Sequence, residues 1–164
     1  MSLTMSSDAR PASMDAIDRR ILSLLQTNAE TPIAEIAAKV GLSQTPCWNR
    51  IKKLERDGVI RGRVAVLDAA RIGLGLTVLV FVEAAEHRPQ ALEGFAQALA
   101  AMPEVIEAHR LAGQFDFMLQ VAVADTAAYD RFYARLIEAV SVKAVTSHMV
   151  MGELKPRSPL PIAG

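Results

Sequence analysis

The sequence predicts an α+β protein in two parts, an N-terminal part of three short helices and a C-terminal part in which strands and helices alternate. Two changes of pattern carry this expectation. Up to about residue 60, apolar residues recur at helical spacing, punctuated by helix start and stop signals. Beyond residue 75 they alternate by twos, with two further helical stretches between the alternating runs.

Asp15 is placed to cap a first helix whose apolar residues Ile17, Ile21, Leu24 and Leu25 share one face, and which ends near Asn28. Thr31 followed by Pro32 marks a second start, the hydroxyl capping and the proline occupying the first turn, where no N–H is required. Ile33, Ile36, Ala37 and Val40 then point inward, and Gly41 stops the helix by taking the left-handed conformation. Two residues later Ser43 is placed to cap a third helix from Gln44 to about Asp57, with Pro46 in its first turn and Gly58 as terminator. So tight a turn between the second and third helices defines a helix-turn-helix, in which the later helix enters the major groove of DNA.

At about 100° per residue, Cys47, Ile51 and Leu54 fall within roughly 60° of one another and form the inward face of the third helix. Thr45, Asn49, Lys52, Lys53 and Arg56 lie opposite, with Trp48 and Arg50 on the flanks and Ser43 and Gln44 at the start, and all nine are candidates for DNA contact. Chemistry sorts them: Thr45 and Asn49 suit base edges, whereas Lys52, Lys53 and Arg56 suit phosphates. The chain balances 18 Lys and Arg against 18 Asp and Glu. Residues 41–63, however, hold six basic residues against two acidic ones by direct count. That local excess favours double-stranded DNA as the partner over a merely solvated helix face. Arg61 and Arg63, in the β-prone stretch 59–67, fit either a wing that touches the DNA backbone or a charged strand edge. Cys47, the only cysteine, excludes an internal disulfide, and its inward phase makes it a small buried hydrophobe rather than a redox sensor.

In the C-terminal part, a strand over 76–83 precedes a helix that opens near Pro89 and buries Leu92, Phe95, Leu99 and Met102. Strands over 105–111 and 115–123 follow, joined by Ala112, Gly113 and Gln114 as a hairpin. Phe117, Leu119, Val121 and Val123 face one way, and Asp116, Met118 and Gln120 the other. A helix capped by Asp125 or Thr126 buries Tyr129, Phe132, Leu136 and Val140, and a last strand is expected over 147–154. The order β-α-β-β-α-β is the ferredoxin-like split fold, with both helices on one face of an antiparallel sheet. The first strand is apolar on both sides, through Val78, Val80 and Val82 and through Leu79 and Phe81, so the uncovered face calls for a second copy and hence a homodimer.

Residues 1–13 read as a disordered leader and not a secretory signal, having no apolar core. The longest apolar run, 74–82, is far shorter than the roughly 20 residues of a spanning helix, so no membrane role is expected and a cytoplasmic location fits. The remaining bounds are 14–60 for the helix-turn-helix, 61–75 for a β linker, 76–155 for the ferredoxin-like effector-binding and oligomerisation domain, and 156–164 for a tail. No acid–base pair or metal-ligand spacing stands out among His87, His109 and His148, so no enzyme activity, metal or cofactor is expected. Two alternatives remain open: a ferredoxin-like ligand-binding or enzymatic protein with a helical interaction module, and a metal sensor using His109, His148 and Asp116. The hairpin 113–116 also has two readings. Its glycine and Asp116 suit the carboxylate and amine of a zwitterion, or the glycine supplies a positive φ and Asp116 is only solvated.

These residues resemble the leucine-responsive regulatory protein family, also called Lrp/AsnC or feast/famine regulators. The resemblance runs from about residue 14 to 159. It is most specific in Gly41-Leu42-Ser43-Gln44-Thr45-Pro46-Cys47-Trp48-Asn49-Arg50-Ile51-Lys52-Lys53-Leu54-Glu55 and in Gly113-Gln114-Phe115-Asp116-Phe117. It implies a winged helix-turn-helix, a β linker and a dimerising ligand-binding domain, with dimers assembling into octamers. It further implies an effector, usually an amino acid, bound between dimers near Gly113, Gln114 and Asp116 and near the strand holding Thr146, Ser147, His148 and Met149. The resemblance therefore tips the hairpin toward the zwitterion reading.

Overall fold

A computed structural model describes residues 12–86, 88–156 and 158–162. The expected leader and His87 thus fall outside the described residues, apart from the leader's last two positions. The chain divides into two compact units. One contains Val66–Glu153; the other contains the N-terminal helices and, returning to them, the segment that begins at Leu154.

Three helices build the N-terminal unit: α1 (Ala16–Thr27), α2 (Ile33–Val40) and α3 (Gln44–Arg56). Asp15 caps α1 in a reciprocal box: its side chain accepts from the Asp18 N–H at 2.8 Å, and the Asp18 carboxylate accepts from the Asp15 N–H at 3.3 Å. The other two caps differ from expectation. Pro32, not Thr31, is the capping residue of α2, and the Thr31 hydroxyl instead donates back to the Asn28 carbonyl at 2.8 Å. Ser43 does sit at the cap of α3 but makes no side-chain capping bond. Gly41 takes φ 72°, the left-handed turn that leaves only three residues between the end of α2 and the start of α3. Ile21, Leu22, Ile36, Ala37, Cys47, Ile51 and Leu54 form the buried core.

The second unit comprises β1 (Leu76–Ala84), α4 (Pro89–Ala100), β2 (Val105–Arg110), β3 (Phe117–Val123), α5 (Thr126–Ala139) and β4 (Val142–Met149). The strands form one sheet in the order β2-β3-β1-β4, every neighbouring pair antiparallel. Val78, Val80 and Val82 are fully buried with Leu119 and Val121 of β3, Phe95 of α4, and Phe132 and Leu136 of α5. Both helices therefore use one face, and Leu79 and Phe81 are left on the other, half-buried. Asp125 caps α5, accepting from the Ala128 N–H at 2.7 Å.

Three expectations are corrected. The last strand is β4 over Val142–Met149, not 147–154, because β1 pairs with it from Ala84↔Val142 to Val78↔Met149 and then has almost no residues left to offer. The apolar residues past that point, Met151 and Leu154, are fully exposed. The hairpin strand starts at Phe117, not at 115; residues 111–116 form the loop, closed by the Leu111 N–H donating to the Asp116 carbonyl at 2.7 Å. The linker contains a short 3-10 turn at Ala70–Ile72 but no strand within the single chain. Val64, Val66 and Leu67 are instead exposed at 86%, 95% and 66%.

Candidate nucleic-acid interface and effector site

Helix α3 divides as its phase requires. Cys47, Ile51 and Leu54 are buried, while Ser43, Gln44, Thr45, Trp48, Asn49, Lys52, Lys53 and Arg56 are exposed. Burial pushes the Cys47 thiol above its ordinary range, which disfavours the reactive thiolate. Arg50 stands apart from the exposed set. Its Nη1 lies 2.7 Å from Asp15 Oδ2 and 2.8 Å from Asp18 Oδ1, so it ties α3 to the cap of α1 and is committed to the fold.

The basic face is not a row of free charges. Lys52 Nζ lies 2.7 Å from Glu55 Oε2, and Lys53 Nζ lies 2.7 Å from Asp57 Oδ2. Glu55 also holds Arg63 at 3.1 Å. Its carboxyl is kept below the usual range by the hydrogen bond from Lys52 and then by the charges of Lys52 and Arg63, so it stays ionised. Lys52 further rests against Trp48, its ammonium 5.8 Å from the ring centroid. The i,i+3 and i,i+4 spacings of these pairs are legible in the sequence, and reasoning from charge count alone passes over them.

In the second unit, Gly113 and Gln114 are exposed at the tip of the loop 111–116. Asp116 is anchored to β1: its N–H donates to the Val82 carbonyl at 2.9 Å, and its Oδ2 accepts from the Ala84 N–H at 2.8 Å. Asp116 thus has a structural task that neither earlier reading foresaw. Gly113 does not have a positive φ, and a Cβ built there meets nothing within 4 Å. Neither the turn nor packing within the chain requires a glycine at this position.

Strand alternation separates the four residues of β4. Thr146 and His148 pair with Phe81 and Leu79 on the open face of the sheet, whereas Ser147 and Met149 pair with Val80 and Val78 on the helix-covered face. Ser147 is hydrogen-bonded to the Tyr129 hydroxyl of α5. The open face connects the loop to β4 through aromatic rings: Phe115 lies 5.3 Å from Phe81, and Phe81 meets His148 edge-on at 5.7 Å. At the same end of the sheet Lys143 pairs with Glu83 at 2.5 Å, and this contact and then the charge of Asp116 raise its pKa. The sequence reading did not single out Lys143; its position beside the β1–β4 register shift between Glu83 and Ala84 gives it this location. Among the described residues no cluster of His, Cys, Asp and Glu could hold a metal ion, and no helix is long and apolar enough to cross a membrane.

Residues 14–61 match the model of the winged helix-turn-helix DNA-binding domain, and residues 77–160 match that of the Lrp/AsnC ligand binding domain. Together these define a DNA-binding transcriptional regulator with a separate ligand-binding domain. The glutamate uptake regulatory protein of Zymomonas mobilis is 45% identical over 149 residues, covering 91% of each chain. An AsnC family transcriptional regulator from Agrobacterium tumefaciens superposes with a TM-score of 0.84 at 44% identity, covering 90% of this chain and 97% of that one. A transcriptional regulator from Neisseria meningitidis, solved in complex with L-Met, superposes at 0.85 with 32% identity, covering 91% and 97%. The chain belongs to the Lrp/AsnC family of transcriptional regulators.

Proposed function

We propose that this regulator binds pseudo-palindromic double-stranded DNA as a homodimer, and that an amino acid bound at the loop 113–116 biases the spacing of its paired α3 helices. The observation that carries the DNA reading is the exposed face of α3. Thr45 and Asn49 near its start address base edges, and Lys52, Lys53 and Arg56 address phosphates. Ser43 makes no capping bond, which leaves N–H groups of the first turn available to a backbone phosphate. The Glu55 and Asp57 carboxylates hold the two lysines extended along the helix and release them to phosphates on docking.

The open face of the sheet and the exposed Val64, Val66 and Leu67 support the dimer, because a second copy would cover both. Further assembly of dimers into an octamer and a cytoplasmic location complete the reading. At the effector site, the exposed backbone of Gly113 suits a carboxylate, and Asp116 and Lys143 supply charges of both signs nearby. The regulator from Neisseria meningitidis in complex with L-Met supports an amino acid as the class of ligand. Such a ligand shifts the equilibrium only as far as it prefers one assembly.

A salt-dependent gel shift on upstream DNA, combined with a thermal-shift screen of the amino acids, tests both halves. Specific retardation that weakens steeply with salt, and stabilisation by one or a few amino acids, are the expected results. DNA binding with a flat response across the panel removes the effector half. Sedimentation tests the assembly: Leu79→Asp, on the open face, should shift the protein toward monomer, and an unchanged oligomer would place the interface elsewhere.

A further inference from the structure

Residues 156–164 read from the sequence as a tail, yet residues 160–162 are built into the DNA-binding unit. Gln26, in the last turn of α1, uses both ends of its amide on the backbone of Leu160, 134 residues away in sequence: the Leu160 N–H donates to Oε1 at 2.7 Å, and Nε2 donates to the Leu160 carbonyl at 3.3 Å. A side-chain amide here does what a neighbouring strand does in a sheet, holding main chain irrespective of side chain. The Leu160 side chain is correspondingly exposed, at 76%. Ile162, two residues on, is part-buried against the core of the three helices, beside Val59 and Ile60.

Those two residues lead directly into Arg61 and Arg63. A single groove in this unit is lined by Leu22, Leu25 and Gln26, by the run from Val59 to Arg63, and by Leu160, Pro161 and Ile162. The run from Arg61 to Asp68 has no helix or strand of its own to fix it. At its far end Asp68 accepts from the Arg71 N–H at 3.2 Å, and at its start the described anchors are the Ile60 N–H bond to the Leu54 carbonyl at 3.0 Å, the Arg63 pair with Glu55 and the packing of Val59 and Ile60. The seated C-terminal segment supplies part of that packing.

We propose that residues 160–162 act as a strap on the DNA-binding domain, and that Gln26 and Ile162 are positioning residues that hold Arg61 and Arg63 in place for the DNA backbone. The inference rests on the reading of Arg61 and Arg63 as wing contacts to phosphate, and not on the base-reading assignment of α3.

The test uses the full protein, a chain stopped before Leu160, and Gln26→Ala, each with and without Arg61→Ala/Arg63→Ala. In the intact chain, removing the two arginines should weaken DNA binding and lower the salt slope by about one to two. Stopping the chain before Leu160 should weaken binding by roughly tenfold with a similar loss of slope. The two changes combined should cost little more than either alone, since they act through the same contacts. The fluorescence of Trp48, the only tryptophan, reports whether the domain stays folded. If truncation unfolds it, Gln26→Ala, which removes only the two hydrogen bonds, is read by the same criteria with a smaller expected loss. Additive losses, or unchanged affinity and slope without the strap, overturn the proposal. So does an intact chain indifferent to the two arginines, while a loss on Lys52→Ala in that same chain shows that the α3 reading survives.

Discussion

Arg50 of the third helix and Asp18 of the first meet at 2.8 Å, with the Asp18 side chain only 11% exposed. The sequence reading placed Arg50 on the flank of the DNA face, and the fold uses it to hold α3 against the cap of α1. Asp18→Ala removes a charge-assisted hydrogen bond and the reciprocal half of the capping box at once. The expected cost is about 1.5–3 kcal/mol. Urea unfolding followed by Trp48 fluorescence measures it, and a loss below about 0.5 kcal/mol would reduce the contact to an ordinary surface pair.

The same junction predicts a pH dependence. The Asp15 carboxyl is held below the usual carboxylate range first by the backbone N–H of Asp18 and then by the Arg50 side chain. A lowered folded pKa stabilises above the unfolded value, about 3.9, and the stabilisation is lost as pH falls through the lower folded value. Asp15→Asn retains a capping oxygen and removes the titration. The stability gap between wild type and Asp15→Asn should therefore be present at pH 7 and shrink at pH values below 4. Equal urea midpoint differences at both ends of that range would show that Asp15 is not linked to folding.

Much of this fold is legible because periodicity and caps agree. The buried stripe of α3 follows from the spacing of Cys47, Ile51 and Leu54, and the left-handed end of α2 from Gly41. The β-α-β-β-α-β order is written in the switch between periods. The placement of β4 was not legible, since Met149, Val150 and Met151 look as strand-like as Val142 and Val145, and only the length of β1 decides which of them find a partner. The seat of Ile162 was hidden for the same reason: a short apolar segment after a proline carries no period, and what fixes it is Gln26, far away in sequence. In the loop 111–116, the sequence identifies Gly113 and Asp116 as unusual but cannot show that Asp116 is already bonded to β1. On α3 it supplies the charges and not their pairing.

Glu55 is a brake on the basic face. Its carboxylate holds Lys52 at 2.7 Å and Arg63 at 3.1 Å, so both cations must exchange a protein anion for a phosphate when DNA docks. Glu55→Gln removes that competition and one negative charge close to the docking surface. Exposed pairs of this kind are worth about 0.2–1 kcal/mol, so DNA affinity should rise by up to roughly fivefold at low salt. The gain should shrink as salt is raised, because screening weakens the competing pair as well. Fluorescence anisotropy of labelled DNA at two salt concentrations measures this. A fall in affinity would mean that Glu55 chiefly positions the two cations.

Gly113 offers a test in which folding and ligand response separate. Its φ is not positive and the space around it is open, so Gly113→Ala meets no strain or collision within the chain. By restricting the unfolded chain, the substitution should leave stability unchanged or raise it by about 0.4–1 kcal/mol. If the exposed backbone at this position receives the carboxylate of an amino acid, an added methyl group stands where the ligand approaches, and ligand-induced stabilisation should fall sharply or vanish. Affinity for DNA in the absence of amino acid should not change, because residue 113 lies in the ligand-binding domain. A thermal-shift titration of wild type and variant against the amino acids supplies both numbers. An unchanged ligand shift would remove the loop from the effector site, whereas a drop in stability without ligand would mean that the backbone there is more constrained than its open surroundings imply.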